Sequence, residues 1–343
     1  MLTLTNAFAS DGTHVDLVLA NAEGPYLKDI ESSVRLIDLQ SARVLKSLPR
    51  LVAYLRRERP VAMLTAMTHA NVIAILAIFL SGVNTRLVIS ERVDLFGLDK
   101  TEKFFKRLFI AALMRLSYPR AYRLVAVSKG VASGLLGALK LPAMLVDVIY
   151  NPVNLKRIAR LSQELPAHPW LSDGGPPVII AAGRLSVQKD FALLINAFAE
   201  LRRQTPARLI IIGEGEERKN LTALIHSLKL ETEIALPGFV DNPYAYLRAA
   251  SVFVLSSRWE GLPNALIEAM ACGLPVVSTD CPSGPMEILE NGKWGRLVPV
   301  GDQHQLAIAI SESLHNPQYP PIESLREFSD EATIAKYRKL LLA

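Results

Sequence analysis

Two α/β domains in tandem, each a parallel sheet covered by helices, are what this 343-residue sequence predicts. Three observations lead there. Short β-branched runs alternate with helical stretches from end to end, the pattern of parallel sheets with helices on both faces. The chain is too long for one ordinary hydrophobic core, so two domains of roughly 150 residues each are expected. Near the middle, Arg157 to Pro177 breaks the periodicity with Pro166, His168-Pro169, Asp173-Gly-Gly and Pro176-Pro177, and reads as a linker.

Taken in order, residues 1 to 10 read as a helix that turns at Asp11-Gly12. The first domain therefore opens on a helix, without the strand and Gly-rich loop that usually lead a doubly wound domain. His14 to Ala20, Val61 to Thr65, Arg86 to Ser90, Arg123 to Ser128 and Val146 to Tyr150 read as strands with helices between. After the linker the strands are Val178 to Ala182, Arg208 to Ile212, Glu233 to Leu236, Val252 to Leu255 and Pro275 to Ser278. Ser329 to Ala343 is a terminal helix with a Ser cap, Asp330 and Glu331 in its first turn, and Ile334, Tyr337 and Leu341 on one face. The expected division is 1–165, 166–325 and a returning helix 326–343.

Half of the residues are apolar and 21% are charged, which excludes disordered and fibrous classes. Two cysteines, Cys272 and Cys281, make neither a disulfide framework nor, without a Cys/His cluster, a zinc site, so a reducing cytoplasm is expected. The first residues carry no signal-peptide pattern. The longest apolar run, Val72 to Val83, is well short of the ~20 residues of a spanning helix. The net charge of +5 is modest and no nucleic-acid partner is expected. Basic residues nevertheless cluster: Lys100, Lys103, Lys106, Arg107, Arg115, Arg120 and Arg123 interleave with Phe104, Phe105, Leu108, Phe109, Leu113 and Tyr118. Such a stretch suits an anionic membrane surface, or equally a helix packed on its own sheet.

The most informative segment runs from Ser256 through Glu260, Pro263 and Glu268 to Gly273 and Ser278. It reads as strand end, loop, helix and strand, with Pro263 in the first turn of the helix and Gly273 just past its end. Unpaired amides from Gly261 to Leu266 and the positive end of the helix dipole offer a place for phosphate. Glu260 before it and Glu268 one turn in would repel a phosphate unless they accept hydrogen bonds from hydroxyls on either side. A nucleotide sugar has a diol at each end, and a carboxylate has two oxygens to receive one.

Glu260-x7-Glu268 followed by Ala269-x-x-Cys272-Gly273-x-Pro275-Val-Val resembles the signature of the retaining glycosyltransferases of family 4, which have the GT-B fold. The resemblance implies two Rossmann-like domains facing across a cleft and a C-terminal helix crossing back to the first. It implies a nucleotide-sugar donor, most often UDP-linked, whose sugar meets Glu260 and whose ribose meets Glu268, with Gly261, Asn264 and Leu266 around sugar and phosphate. Ala182-Gly183-Arg184-Leu185, with Lys189-Asp190, resembles the element whose Arg and Lys grip the diphosphate, which makes a metal unnecessary. A planar fork and a compact charge suit that task. Gly213 in Ile211-Ile-Gly-Glu-Gly215 and Val240 in Leu236-Pro-Gly-Phe-Val240 resemble the elements beside the base.

On the acceptor side, His69 follows a strand and opens a helix, at the sheet edge where ligands gather. Similar proteins place a His of the first domain beside the transferred sugar; a His packing at a helix start is the equal alternative. Ser90-Glu91-Arg92, Ser128-Lys129-Gly130 and Glu287 are weaker candidates. The expected activity is sugar transfer to a glycan or lipid-linked acceptor, in the cytoplasm and peripheral on the inner membrane face, with no cofactor and no metal. A non-catalytic nucleotide-sugar binder, an epimerase and a phosphorylase stay open.

Overall fold

The computed structural model describes residues 1–92 and 104–342, with backbone alone at 25, 26 and 104–109. It divides into two compact units, Met1–Pro152 with Asp330–Ala343, and Val153–Ser329.

In the first unit α1 (Leu2–Ser10) leads to β1 (Asp16–Leu19), whose parallel partner is β2 (Arg35–Asp38). Then come α2 (Leu48–Glu58), β3 (Ala62–Ala66), α3 (Thr68–Ser81), β4 (Arg86–Glu91), α4 (Phe104–Ser117), β5 (Arg123–Ala126), α5 (Lys129–Leu139) and β6 (Val146–Val148). Strands β3 to β6 form one parallel sheet in that order. Helix α3 takes up the apolar run: Val72, Ile73, Ala74, Ile75 and Ala77 are buried while Leu76, Phe79 and Leu80 are exposed. It stops at Gly82, which caps it in the left-handed region at φ 67. Ser128 starts α5 by accepting the Val131 amide on its hydroxyl.

The β1–β2 pair and the four-stranded sheet are not hydrogen-bonded to each other. Their side chains nevertheless share clusters. Val15 and Leu64 pack with Leu4, Phe8, Val88 and Val125, and Val18 and Met63 pack with Leu51, Leu55 and Ile73. Strands β1 and β3 are accordingly half-buried along almost their whole length, whereas β4 is buried at five of six positions. Strand β2 escaped the sequence reading because Arg35 and Asp38 bracket only two apolar residues and three of its four positions are exposed. Arg35 pairs with Asp16 across the two strands and with Glu58 at the end of α2.

The second unit runs α6 (Leu155–Leu161), β7 (Val178–Ala182), α7 (Phe191–Leu201), β8 (Arg208–Ile212), α8 (Arg218–Ser227), β9 (Ile234–Gly238), α9 (Pro243–Ala249), β10 (Val252–Leu255), α10 (Asn264–Ala271), β11 (Val276–Thr279), α11 (Pro285–Ile288), β12 (Arg296–Val298) and α12 (Gln303–His315). Its six strands are all parallel, in the order β12-β11-β10-β7-β8-β9. β12, three residues long, is too short for a periodicity to show. The core lies between the sheet and helices α7, α8 and α12, with Ile179, Ala181, Leu194, Phe198, Leu209, Ile211, Leu306 and Ile310 buried together.

The linker expectation needs correction. Residues Arg157 to Leu161 are helical, in α6, whose first turn is capped by the Asn154 side-chain Oδ1 accepting from the Arg157 amide at 2.7 Å. The units divide at Pro152/Val153 rather than at residue 165 because Asn242 donates to the Leu161 carbonyl and to Glu164, holding this stretch to the second unit. Chain return falls at Ser329/Asp330 rather than at 326, since Ser329 bridges Val153. Helix α13 (Asp330–Leu342) then rejoins the first unit, with Ile334, Tyr337 and Leu341 against Leu4, Phe8 and Val88.

Of the basic stretch, Lys100 and Lys103 lie outside the described residues, as do the side chains of Phe104, Phe105, Lys106, Arg107, Leu108 and Phe109. Beyond them Arg115 and Arg120 are exposed, Leu113 is half-buried and Tyr118 is fully buried. No helix among the described residues is long and apolar enough to cross a membrane.

Candidate active site

In the second unit the strand order reverses at β7, with β8 and β9 on one side and β10 to β12 on the other. Loops leaving the C-terminal ends of two such strands diverge and leave a crevice where ligands bind. The two loops here are 183–190 after β7 and 256–263 after β10. They are pinned together. The Arg258 amide donates to the Gln188 carbonyl at 2.8 Å, the Ser256 hydroxyl to the Lys189 carbonyl at 2.8 Å, and Gln188 Nε2 to the Trp259 carbonyl at 2.8 Å. Arg258 Nε also reaches Asp190 Oδ2 at 2.7 Å, and Asp190 sits in the left-handed region at φ 47 as it starts α7.

This zipper brings Lys189 Nζ to 2.5 Å from Glu260 Oε1. Both are well covered, with side chains 17% and 7% exposed. The Ser257 hydroxyl donates to the same Oε1 at 2.6 Å, and Gln188 Nε2 stands 3.5 Å from Oε2. A carboxylate removed from water is tolerable only when paired and hydrogen-bonded, and here it is both.

The glycines of the neighbouring loops are there for close backbone approach. A Cβ on Gly213 would lie 1.9 Å from the Gly183 carbonyl oxygen, and one on Gly215 would lie 2.2 Å from that of Leu185. The Gly183 amide donates to Ile212 and the Gly213 amide to Gly238, so the exits of β7, β8 and β9 form one tight layer. Val240, half-buried, follows that layer. Arg184, however, is turned outward: 74% exposed, it pairs with Glu216 at 3.1 Å.

Helix α10 begins at Asn264, with Pro263 as its cap rather than inside its first turn. The expectation of unpaired amides through Leu266 is corrected in part. The Leu266 amide donates to the Pro263 carbonyl, whereas among the described residues no acceptor meets the amides of Gly261 and Leu262. Asn264 is exposed and Leu266 buried. Glu268, one turn in, is half-buried; burial raises its carboxyl and a hydrogen bond from the Tyr244 phenol opposes the rise. Burial and Glu268 together push Tyr244 up to about 12. Of the four groups singled out in the sequence, then, Lys189 and Glu260 meet directly, while Arg184 and Glu268 each have a separate partner. Ser257, Gln188, Tyr244 and Glu216 went unrecognised. Their partners lie 3, 72, 24 and 32 positions away, and only for Ser257 is the partner local.

In the first unit His69 is the exposed second residue of α3, just past Met67 at φ 78. Beneath that turn lies a buried polar cluster. Glu91, 2% exposed at the end of β4, accepts from Thr68 at 3.1 Å, from Asn71 at 2.8 Å and from the Tyr118 phenol. Burial raises the Glu91 carboxyl, against those three hydrogen bonds. The folded state thus binds its proton more tightly than the unfolded chain does. Stability is expected to fall as pH rises from the unfolded carboxylate range through the folded value, by up to about 1.4 kcal/mol per pH unit. Glu91→Gln should flatten that slope, leaving the variant relatively more stable at pH 8 than at pH 5 in urea unfolding. Parallel profiles for the two proteins would refute this.

Residues 164–334 match the family model described as glycosyl transferases group 1, and residues 1–157 match that of glycosyltransferase family 4. An N-acetylgalactosamine-N,N'-diacetylbacillosaminyl-diphospho-undecaprenol 4-alpha-N-acetylgalactosaminyltransferase of Campylobacter jejuni is 35% identical over 250 residues, which are 73% of this chain and 66% of that protein. The chain therefore spans just under two thirds of that relative's length. The amylovoran biosynthesis glycosyltransferase AmsD of Erwinia amylovora is 26% identical over 293 residues, covering 84% of this chain and 78% of AmsD. Among solved structures, Anabaena HepE in complex with UDP and glucose superposes with a TM-score of 0.79 at 22% identity, covering 99% of this chain and 94% of HepE. Two family models that follow one another along nearly the whole chain, on two parallel-sheet units with the Glu260-x7-Glu268 segment at the switch point of the second, place the chain in glycosyltransferase family 4 with the GT-B fold.

Proposed function

We propose that the protein moves a sugar from a nucleoside-diphosphate sugar, UDP-linked, to a glycan or lipid-linked acceptor with retention of the anomeric configuration. The observation that carries the reading is the covered Lys189–Glu260 pair at the strand-order reversal, beside the amides of Gly261 and Leu262. Lys189 supplies a cation for the diphosphate and Glu260 an acceptor for sugar hydroxyls, neighbouring needs of one donor molecule. Arg184 reaches the leaving diphosphate by giving up Glu216, an exposed pair that solvent screens and that is easily broken. With two cations on the diphosphate, departure needs no metal. Glu268, backed by Tyr244, takes the ribose diol, and Gly183, Gly213 and Val240 line the nucleotide.

The names of the relatives support the substrate classes, since one acts on a diphospho-undecaprenol saccharide and another serves amylovoran biosynthesis. HepE's structure holds UDP and glucose. A lipid-linked acceptor calls for work at a membrane surface, in this proposal its cytoplasmic face. Exposed Leu76, Phe79 and Leu80 of α3, with Arg56 bonded to the Leu80 carbonyl, favour contact with anionic lipid there.

One experiment tests the whole reading. A panel of nucleotide sugars is screened by thermal shift on wild type and Glu268→Ala, and the stabilising donor is then assayed with chelator present and with acceptor in anionic vesicles. One donor should stabilise wild type, the variant should lose most of the shift, and the vesicle-borne product should keep the donor's anomeric configuration. Equal shifts in both proteins remove Glu268 from the site. Turnover without acceptor indicates an epimerase, a requirement for inorganic phosphate a phosphorylase, and binding without turnover a non-catalytic binder.

A further inference from the structure

The geometry assigns Ser257 and Gln188 as positioning residues that divide the two oxygens of Glu260, holding Oε1 for the protein and leaving Oε2 for the substrate. The inference rests on the proposed role of Glu260 and adds how its carboxylate is aimed.

Oε1 receives two short hydrogen bonds, from Lys189 Nζ at 2.5 Å and from the Ser257 hydroxyl at 2.6 Å. Among the described residues the one donor that meets Oε2 is Gln188 Nε2 at 3.5 Å, whose better hydrogen bond goes to the Trp259 carbonyl at 2.8 Å. A carboxylate bonded on one oxygen by a lysine alone can swing about its terminal torsion, which is broad. A second donor on the same oxygen from a different direction fixes the plane. Ser257 can supply it because it is itself immobile: it is fully buried, and its carbonyl accepts the Thr279 hydroxyl at 2.6 Å. Gln188 is held just as firmly, its carbonyl by the Arg258 amide and its amide by Trp259. Its Nε2 is close enough to Oε2 to bias that oxygen's direction and too far to occupy it. Oε2 is thus the underfilled acceptor of an otherwise saturated group, and a sugar hydroxyl is the donor it lacks.

Both residues act on the Glu260 carboxylate in this proposal and neither is assigned a nucleotide contact, so the effects should separate. The test compares Ser257→Ala, Gln188→Met, Glu260→Gln and the double variant Ser257→Ala/Glu260→Gln, using the donor that supports wild-type turnover, with UDP as the sugar-free probe. Losing a hydrogen bond to a charged group should lower kcat of Ser257→Ala by about 10- to 100-fold, with UDP affinity close to wild type and Tm lower by only a few degrees, about 2–4 °C per kcal/mol. Gln188→Met should lose less, about 5-fold, and raise the share of donor lost to water rather than transferred. The double variant should be no slower than Glu260→Gln, because Ser257 acts through that carboxylate. Wild-type kcat in Ser257→Ala overturns the inference, and so does a loss of UDP affinity in proportion to kcat, unfolding of the variant at the assay temperature, or full additivity in the double variant. If Glu260→Gln itself stays active, the proposed function of the site falls. If it is inactive while Ser257→Ala is normal, only the positioning role falls.

Discussion

Glu260→Gln should lower donor-dependent release of the nucleoside diphosphate by on the order of 100- to 1000-fold while the protein stays folded. The substitution keeps the shape and removes the charge, leaving the covered Lys189 ammonium without the carboxylate that sits 2.5 Å away. Removing one partner of a buried ion pair costs about 3–5 kcal/mol, and each 1.36 kcal/mol lost from transition-state binding is about tenfold in rate. Part of that cost falls on the ground state, so the lower end of the conversion is the expected loss. Lys189→Met should be similarly slow, and the two together no slower than either alone, because they act as one unit. Activity of Glu260→Gln within tenfold of wild type would mean that the pair is structural.

The largest effect on stability is expected at Gly213. Its φ of 136 lies in a region that side chains rarely adopt, and an added Cβ would stand 1.9 Å from the Gly183 carbonyl oxygen. Both objections are to backbone, so no side-chain rotation relieves them. The Gly183 strand exit must move, and with it the hydrogen bonds from Gly183 to Ile212 and from Gly213 to Gly238. Strain of this kind costs about 1–3 kcal/mol for the dihedral alone, and the displaced layer adds to it. Gly213→Ala should therefore lower the Tm of the second unit by about 10 °C, taking about 2–4 °C per kcal/mol for a domain of this size. Gly137→Ala is the control: that glycine is inside α5, with open space where its Cβ would go, and the change should gain up to about 1 kcal/mol. Equal melting of the two variants would falsify the close-approach argument.

The same contrast separates what was legible in the chain from what was not. Val178 to Ala182, Arg208 to Ile212 and Val252 to Leu255 are strands at the residues where the apolar runs place them, because a strand buried on both faces must be apolar throughout. Helix α10 was bounded by its own punctuation, with Asn264 to Ala271 lying between Pro263 and Gly273. β2 and β12 were invisible, one for its charge and exposure and the other for its length. So was α6, where Pro- and Gly-rich sequence beyond residue 165 masked a helix of seven residues capped by Asn154.

What the sequence determined by itself is the succession of buried strands and the family the chain belongs to, and it nominated Glu260, Glu268, Arg184 and Lys189 as candidate groups. Which of those groups meet was decided by the tertiary structure alone. Strand order sets β7 beside β10 and so sets Lys189 against Glu260 across 71 positions, while Arg184, five residues earlier, faces Glu216. The reason is physical. Burial and helix ends depend on neighbours a few residues away, whereas the direction of a charged side chain depends on whichever opposite charge the folded sheet brings within reach.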